Sequence, residues 1–266
     1  MNRWMAIAVF AVSASSLLAQ SPAPRPKFDA FEVATVKPVD PDPSGGRYIK
    51  MQGTNRFVEK AYTLKLLIAA AYDLNPKTIS GGPPWLSSDH YDILGVTPGE
   101  VQPTHDEQMS MLRSLLTDRF KLTFHREQKD FSIYELQVAK SGPKLKPSAS
   151  RPDEPAVVGP GVVYPPDRVV LPGRNATMTN FVSLLQRAIL DRPVVDKTGL
   201  SGRYDFDLEW APDETQFGGG LPPASEASQS PPLFEAIQQQ LGLKLEATRG
   251  PVAALVVDQV ERPSAN

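Results

Sequence analysis

The stretch Arg192–Trp210, RPVVDKTGLSGRYDFDLEW, constrains this chain more than any other, because a shorter copy of its core occurs earlier. In both places a Gly-containing turn leads into a strand that opens Tyr-Asp-apolar. Ile79–Val96, ISGGPPWLSSDHYDILGV, carries Tyr91-Asp92-Ile93, and the later stretch carries Tyr204-Asp205-Phe206. Other matches follow in the same order. Thr63 and Thr179 each stand before apolar residues at helical spacing, and Phe120-Lys121-Leu122 is echoed by Leu243-Lys244-Leu245. Similar pieces in a fixed order signal repeated architecture. One such piece, a helix with two or three strands, buries too little surface to be stable alone. The expectation is an α+β fold of two related halves, each strand(s)-helix-strand-helix-hairpin, joined by a Pro-rich linker.

Punctuation residues set the boundaries. Residues 1–19 read as a secretory signal peptide: Arg3, an apolar run Trp4–Val12, then small residues with a cut after Ala19. Residues 20–27 form a Pro-rich leader that is not expected to pack, and 28–140 the first half. Residues 141–172, rich in Pro and Gly, form the linker, with one or two edge strands near Val162 and Val169. Residues 173–263 form the second half and contain a mobile loop at 211–230, APDETQFGGGLPPASEASQS. Thr104-x-x-Glu107 is a capping box before a helix. Each half is expected to close on a hairpin. The first pairs Phe120–Phe124 with Phe131–Val138 around Glu127–Asp130, and the second pairs Leu243–Ala247 with Ala253–Val260 around Arg249-Gly250-Pro251.

Composition removes several classes. The chain has no cysteine, which excludes disulfides, thiolate metal sites and a cysteine nucleophile. A formal net charge of −2 gives no electrostatic case for nucleic acid. After the signal, no stretch is apolar for the length of a membrane span. The three histidines, His90, His105 and His125, lack the H-E-x-x-H arrangement of a zinc hydrolase, and no phosphate-binding glycine loop or G-x-S-x-G elbow occurs. No cofactor is implied by any motif.

Three constellations could carry chemistry. On a strand from Tyr204 to Trp210, Asp205, Asp207 and Glu209 form one acidic row, which suits a hard cation such as calcium or simply a solvated face. Trp85, after Gly81-Gly82-Pro83-Pro84, and Trp210 could each stack on a sugar or peptide, or close the end of a core. Asp89, Asp92, Asp205 and Asp207 could meet in the fold as the acid and base of a hydrolase.

The segments FEVATVKP, TLKLLIAAAYDL, ISGGPPWLSSDHYDI, MLRSLLTDRFKLTFHRE, YELQVAKSGPKL, RPVVDKTGLSGRYDFDLEW and LFEAIQQQLGLKLEATRGPV with LVVDQVERPSAN resemble one bacterial family. It is a large set of exported "soil-associated" conserved hypothetical proteins built on a domain of unknown function. The resemblance implies export but no activity. Some relatives look like extracytoplasmic appendages of beta-lactam-sensor-type membrane metallopeptidases, whose H-E-x-x-H portion this chain lacks. Thr179–Leu208 and Leu233–Val257 are also similar to the short N-terminal domains of secretins and TonB-dependent receptors, which implies a small periplasmic interaction module. The expected function is therefore a non-catalytic binding or protein-interaction module in the periplasm or outside the cell. Its partner would be an extracytoplasmic protein or a cell-envelope ligand. The alternatives are an extracytoplasmic hydrolase and a sugar- or peptidoglycan-binding protein using Trp85 and Trp210.

Overall fold

The strands β1 (Val33–Val39), β2 (Tyr48–Gln52) and β3 (Arg56–Thr63) begin the chain as seen in a computed structural model, which describes residues 25–41, 46–151, 154–159, 162–164, 168–225 and 228–263. The signal at 1–19 and the leader through residue 24 lie outside the described residues. At the end of the leader, Arg25 forms an exposed ion pair with Glu107 at 2.7 Å. Thr63 accepts the Leu66 N–H and starts α1 (Leu64–Ala71), a helix whose Leu64, Leu67 and Ile68 are fully enclosed. The chain continues through β4 (Ile79–Gly81), a 3₁₀ turn holding Trp85, and β5 (His90–Val96). β5 lies between β1 and β3, so the first sheet is antiparallel in the order β1-β5-β3-β2. α2 (His105–Phe120) starts at the predicted capping box, with Thr104 and Glu107 bonded reciprocally.

Then come β6 (Thr123–Val138), β7 (Lys146–Pro147), β8 (Val157–Val158), β9 (Val162–Tyr164) and β10 (Arg168–Ala176). α3 (Met178–Leu184) runs on into a π turn over Leu185–Ile189, followed by β11 (Val194–Asp196) and β12 (Tyr204–Trp210). α4 (Leu233–Ala236), with a π turn over Ile237–Leu241, leads into β13 (Leu243–Gln259). The cap of α3 is Thr177, boxed with Asn180, rather than Thr179, which lies inside the helix. Lys121 and Gly242, the residues that end α2 and the α4 turn, are both left-handed, at φ 52° and 64°. The spelling match of Phe120-Lys121-Leu122 with Leu243-Lys244-Leu245 is therefore two residues out of step with the helix ends.

Neither expected hairpin forms. β6 and β13 are single long strands paired antiparallel with each other, from Thr123 opposite Gln259 to Val138 opposite Leu243. Glu127–Asp130 has no Gly, Pro or Asn to force a reversal, and the strand continues through it. Gly250-Pro251 is tolerated because β13 pairs there on one side only, with Phe131 and Asp130. At this ladder's centre Asp130 faces Pro251. β11 joins β6 in parallel at Tyr134, four residues beyond Asp130, and β4 joins β13 in parallel at Leu255, four residues beyond Pro251. The sheet order is β11-β6-β13-β4.

Two cores flank this ribbon, and each draws on residues of its long strands. Under the first sheet, Phe57, Leu67, Ile68, Tyr91, Ile93, Leu112, Leu116 and Phe120 pack with Leu255 and Val257 of β13. Under the third sheet, of order β7-β12-β10-β8, Val169, Leu171, Phe181, Phe206, Leu208, Trp210 and Ile237 pack with Leu136 of β6. The protein is thus a mixed α/β structure with four α-helices and three sheets among the described residues.

The expected linker is not peripheral throughout. β7, β8 and β9 pair onto β12 and β10 as short strands, but β10 begins at Arg168 and is an inner strand, so a boundary at 172 cuts through it. The expected loop 211–230 is also partly built, because its first residues close over Trp210. The Trp210 Nε1–H donates to Gln216 Oε1 at 2.7 Å, and Phe217 stacks on the indole at 6.2 Å and 9°.

Candidate functional site

Both strand pairs that carry the Tyr-Asp motif are bulged, and the aspartate belongs to the bulge. In β3 the register against β5 shifts between Glu59 and Tyr62, and in β10 the register against β12 shifts between Gly173 and Ala176. The extra residue is left-handed in each, Ala61 at φ 58° and Asn175 at φ 50°. An extra residue turns its N–H out of the ladder and needs another acceptor. Asp92 Oδ1 accepts from the Ala61 N–H at 3.1 Å, and Asp205 Oδ1 accepts from the Asn175 N–H at 2.8 Å. The Asn175 main-chain N–H and the Ser148 hydroxyl hold the Asp205 carboxyl below its ordinary range. The second oxygen of Asp92 meets the Lys60 ammonium.

The acidic row alternates with the core residues as expected, Phe206, Leu208 and Trp210 being buried and Asp207 exposed. Its three acids, however, are each taken by a different partner. Asp207 is gripped by both oxygens on Arg174, at 2.8 and 3.0 Å. Glu209 meets Arg168 at 3.1 Å and the Ser230 hydroxyl at 3.0 Å. Among the described residues no group of three or more His, Asp or Glu side chains converges as a metal would need. Asp205 and Asp207 share a cavity of about 320 Å³ with Lys144, Lys146, Arg174 and Gln240. Asp92 lines another, of about 260 Å³, with Asp40, Tyr48 and Lys60. Asp89 is at neither. It pairs with Arg262 at 2.9 Å, and that guanidinium lies 4.9 Å over the Trp85 ring.

The two tryptophans differ. Trp210 is fully enclosed, whereas Trp85 keeps a partly exposed face beneath Arg262. Of the histidines, His90 Nδ1 lies 2.8 Å from the Ser88 carbonyl and His125 Nδ1 lies 2.7 Å from Asp258 Oδ1. His105 is the first residue of α2, beside Arg187 and Asp73.

Sequence reasoning missed two groups. Glu59 is fully enclosed, and burial pushes its carboxyl up to about 9, against the pull of the Tyr62 N–H bonded to it at 3.0 Å. Its Oε2 has no partner among the described residues. The signal was present, since Glu59 stands two residues after the core residue Phe57 on one strand and so shares its face. Arg187, in the π turn, is the other. Its Nε is buried without a hydrogen bond, and no local pattern marks it.

These features define a mixed α/β protein whose recurring acids belong to its backbone geometry and whose tryptophans differ in access. Comparison with known proteins places it further. Residues 65–260, nearly three quarters of the chain, match the family described as "Protein of unknown function (DUF3738)", and the chain belongs to that family. No curated protein and no solved structure matches it.

Proposed function

We propose that this chain is an exported, non-catalytic binding or protein-interaction module, built from two related halves joined through residues 141–172. The observation that carries the reading is the use of Asp92 and Asp205. Both recurring acids spend an oxygen on a main-chain N–H at a bulge, at 3.1 and 2.8 Å, which is scaffold work and not proton transfer. Support for two halves comes from coincident irregularities. The two bulges, the left-handed residues inside them, the threonine caps of α1 and α3, and the left-handed ends at Lys121 and Gly242 recur in one order. A halved ribbon centred on Asp130 and Pro251 adds to this. Support for export comes from the first 19 residues alone.

In this reading the interlocked cores make one rigid body that presents loops and partly exposed groups such as Trp85 to a partner. The test has two arms. N-terminal sequencing of the protein recovered outside the cytoplasm should begin at Gln20. The purified mature chain should capture a cell-envelope component that then binds it directly at micromolar strength or better. Turnover of a peptidoglycan or peptide substrate, abolished in Asp92→Asn or Asp205→Asn with the melting temperature unchanged, would overturn the non-catalytic reading.

A further inference from the structure

Where the two cores meet, nearly every polar group has a partner. Ser183 donates to Asp73 Oδ1 at 2.6 Å, Gln186 donates to the Asp73 carbonyl at 2.6 Å, and Asn75 donates to the Gln186 carbonyl at 2.6 Å. Arg187 is the exception. Its side chain is only 22% exposed, yet the carboxylate that pairs with its Nε, Asp73 Oδ1, stands at 3.9 Å, too far for a hydrogen bond. The Nε–H is buried with no partner among the described residues. A buried guanidinium donor left unpaired costs more than an unpaired neutral one, and such a group calls for a specific explanation.

Its surroundings supply one. Arg187 and Asp73 each lie ten residues beyond the threonine that caps their helix, so the guanidinium stands close to where the two helices approach each other. The π turn over Leu185–Ile189 carries it, and π turns concentrate at ligand sites. The Tyr62 hydroxyl is within electrostatic reach of both Arg187 and Arg47. Arg47 also lies 5.3 Å over the Tyr62 ring. His105 is within reach of Arg187 and of Arg113, whose Nη1 is anchored on the Ala71 carbonyl at 2.7 Å. Opposing charge comes from Asp73 and Asp106. Asp73 already accepts from Ser183, and Glu59, behind Tyr62, is held neutral by burial and repels nothing.

We propose that this junction is a binding site for an oxyanion, a carboxylate or phosphate group on a ligand, gripped by the Arg187 guanidinium and flanked by Arg47, the Tyr62 hydroxyl and His105. The fork of N–H donors on an arginine matches two oxygens of such a group, and a lysine there would not. The inference rests on the binding-module reading and adds the chemistry of one ligand group to it.

The test is titration of the full mature chain with inorganic phosphate and, separately, with N-acetylglycine as a carboxylate carried on a peptide unit. The ¹⁵N-labelled Arg187 Nε–H resonance of the wild type should shift and saturate with at least one probe. Calorimetry should then give a single site, weakened about tenfold by Arg187→Gln and less by Tyr62→Phe and Arg47→Gln. Lys244→Gln, on the exposed face of the ribbon, should bind as the wild type does. Response to phosphate alone identifies a phosphoryl group, and response to N-acetylglycine alone identifies a carboxylate. A wild-type Nε–H resonance unmoved by both probes, or equal binding by a folded Arg187→Gln protein, overturns the site. Either result leaves the module reading standing, because envelope capture does not require this junction.

Discussion

The two bulges share a backbone and differ in what fills the space beneath them. In β3 the residue that begins the register shift is Glu59, opposite Ile93, and its carboxyl is buried with one oxygen unpaired. In β10 the corresponding residue is Gly173, opposite Phe206, and the ring lies so close that a Cβ on Gly173 would stand 2.3 Å from Phe206 Cζ. One bulge pairs an acid with an aliphatic residue, and the other pairs no side chain with a large ring. The lesson is that the aspartate, the left-handed residue and the register shift form the invariant device, while the filling is free to change. That freedom has a cost at Glu59, because its buried carboxyl makes this bulge lose stability as pH rises, a dependence the glycine of the other bulge does not bring.

The largest effect expected from breaking this contrast is at Glu59. Its carboxyl has a folded pKa of about 9 against an ordinary value of 4.5. Between those values the folded protein holds a proton that the unfolded chain has lost. The stability linked to Glu59 is therefore fully present below about pH 4.5 and is lost as pH rises through about 9. Urea unfolding of Glu59→Gln at a series of pH values should remove this slope, which is at most about 1.4 kcal/mol per pH unit. The variant should gain on the wild type as pH rises. Parallel curves for the two proteins would place the carboxyl in water.

Next in size is Gly173→Ala. The new methyl must displace the Phe206 ring, and a loss of about 2 kcal/mol is expected from the shift in urea midpoint. A neutral result would mean the ring is not seated on the glycine. Removing the acid of either bulge comes third. Asp92→Ala should cost about 1–2 kcal/mol, and Asp205→Ala should lower stability too, since each strands a main-chain N–H. The Lys60 partner adds little to the first, because it is a surface ion pair. Strongly unequal costs would break the equivalence of the two bulges. Smallest is Ala61→Gly, where relief of a left-handed alanine, less the added freedom of the unfolded chain, should raise stability by about 0.5 kcal/mol. Asn175→Gly should instead lose stability, because the Asn175 amide bonds the Arg151 and Glu154 carbonyls at 3.0 and 2.7 Å.

Local chemistry was legible where one segment decided it. The Thr63 cap, the Thr104–Glu107 box, the Gly242 stop and the alternation of Tyr204–Trp210 all depend on residues within a turn or a strand of each other. The terminal strands were not, because an apolar-polar pattern broken by Arg249-Gly250-Pro251 reads the same in a hairpin as in a long strand whose partner lies more than a hundred residues away. Trp85 and Trp210 offered no local distinction either. What separates them is Gln216 and Phe217 closing on one and Arg262 lying over the other. The acids of β12 invited a metal site because the arginines that take them, Arg168 and Arg174, stand on β10, inside or just beyond the stretch read as linker. Arg187 had no signal at all, since an unpaired donor exists only once its surroundings are assembled.

Asp92 and Asp205 serve the backbone, and amide hydrogen exchange reads that role directly. In the wild type the Ala61 and Asn175 N–H groups should both be protected. Asp92→Ala should release Ala61 alone, and Asp205→Ala should release Asn175 alone. Fast exchange at both positions in the wild type, or protection unchanged in the variants, would contradict it.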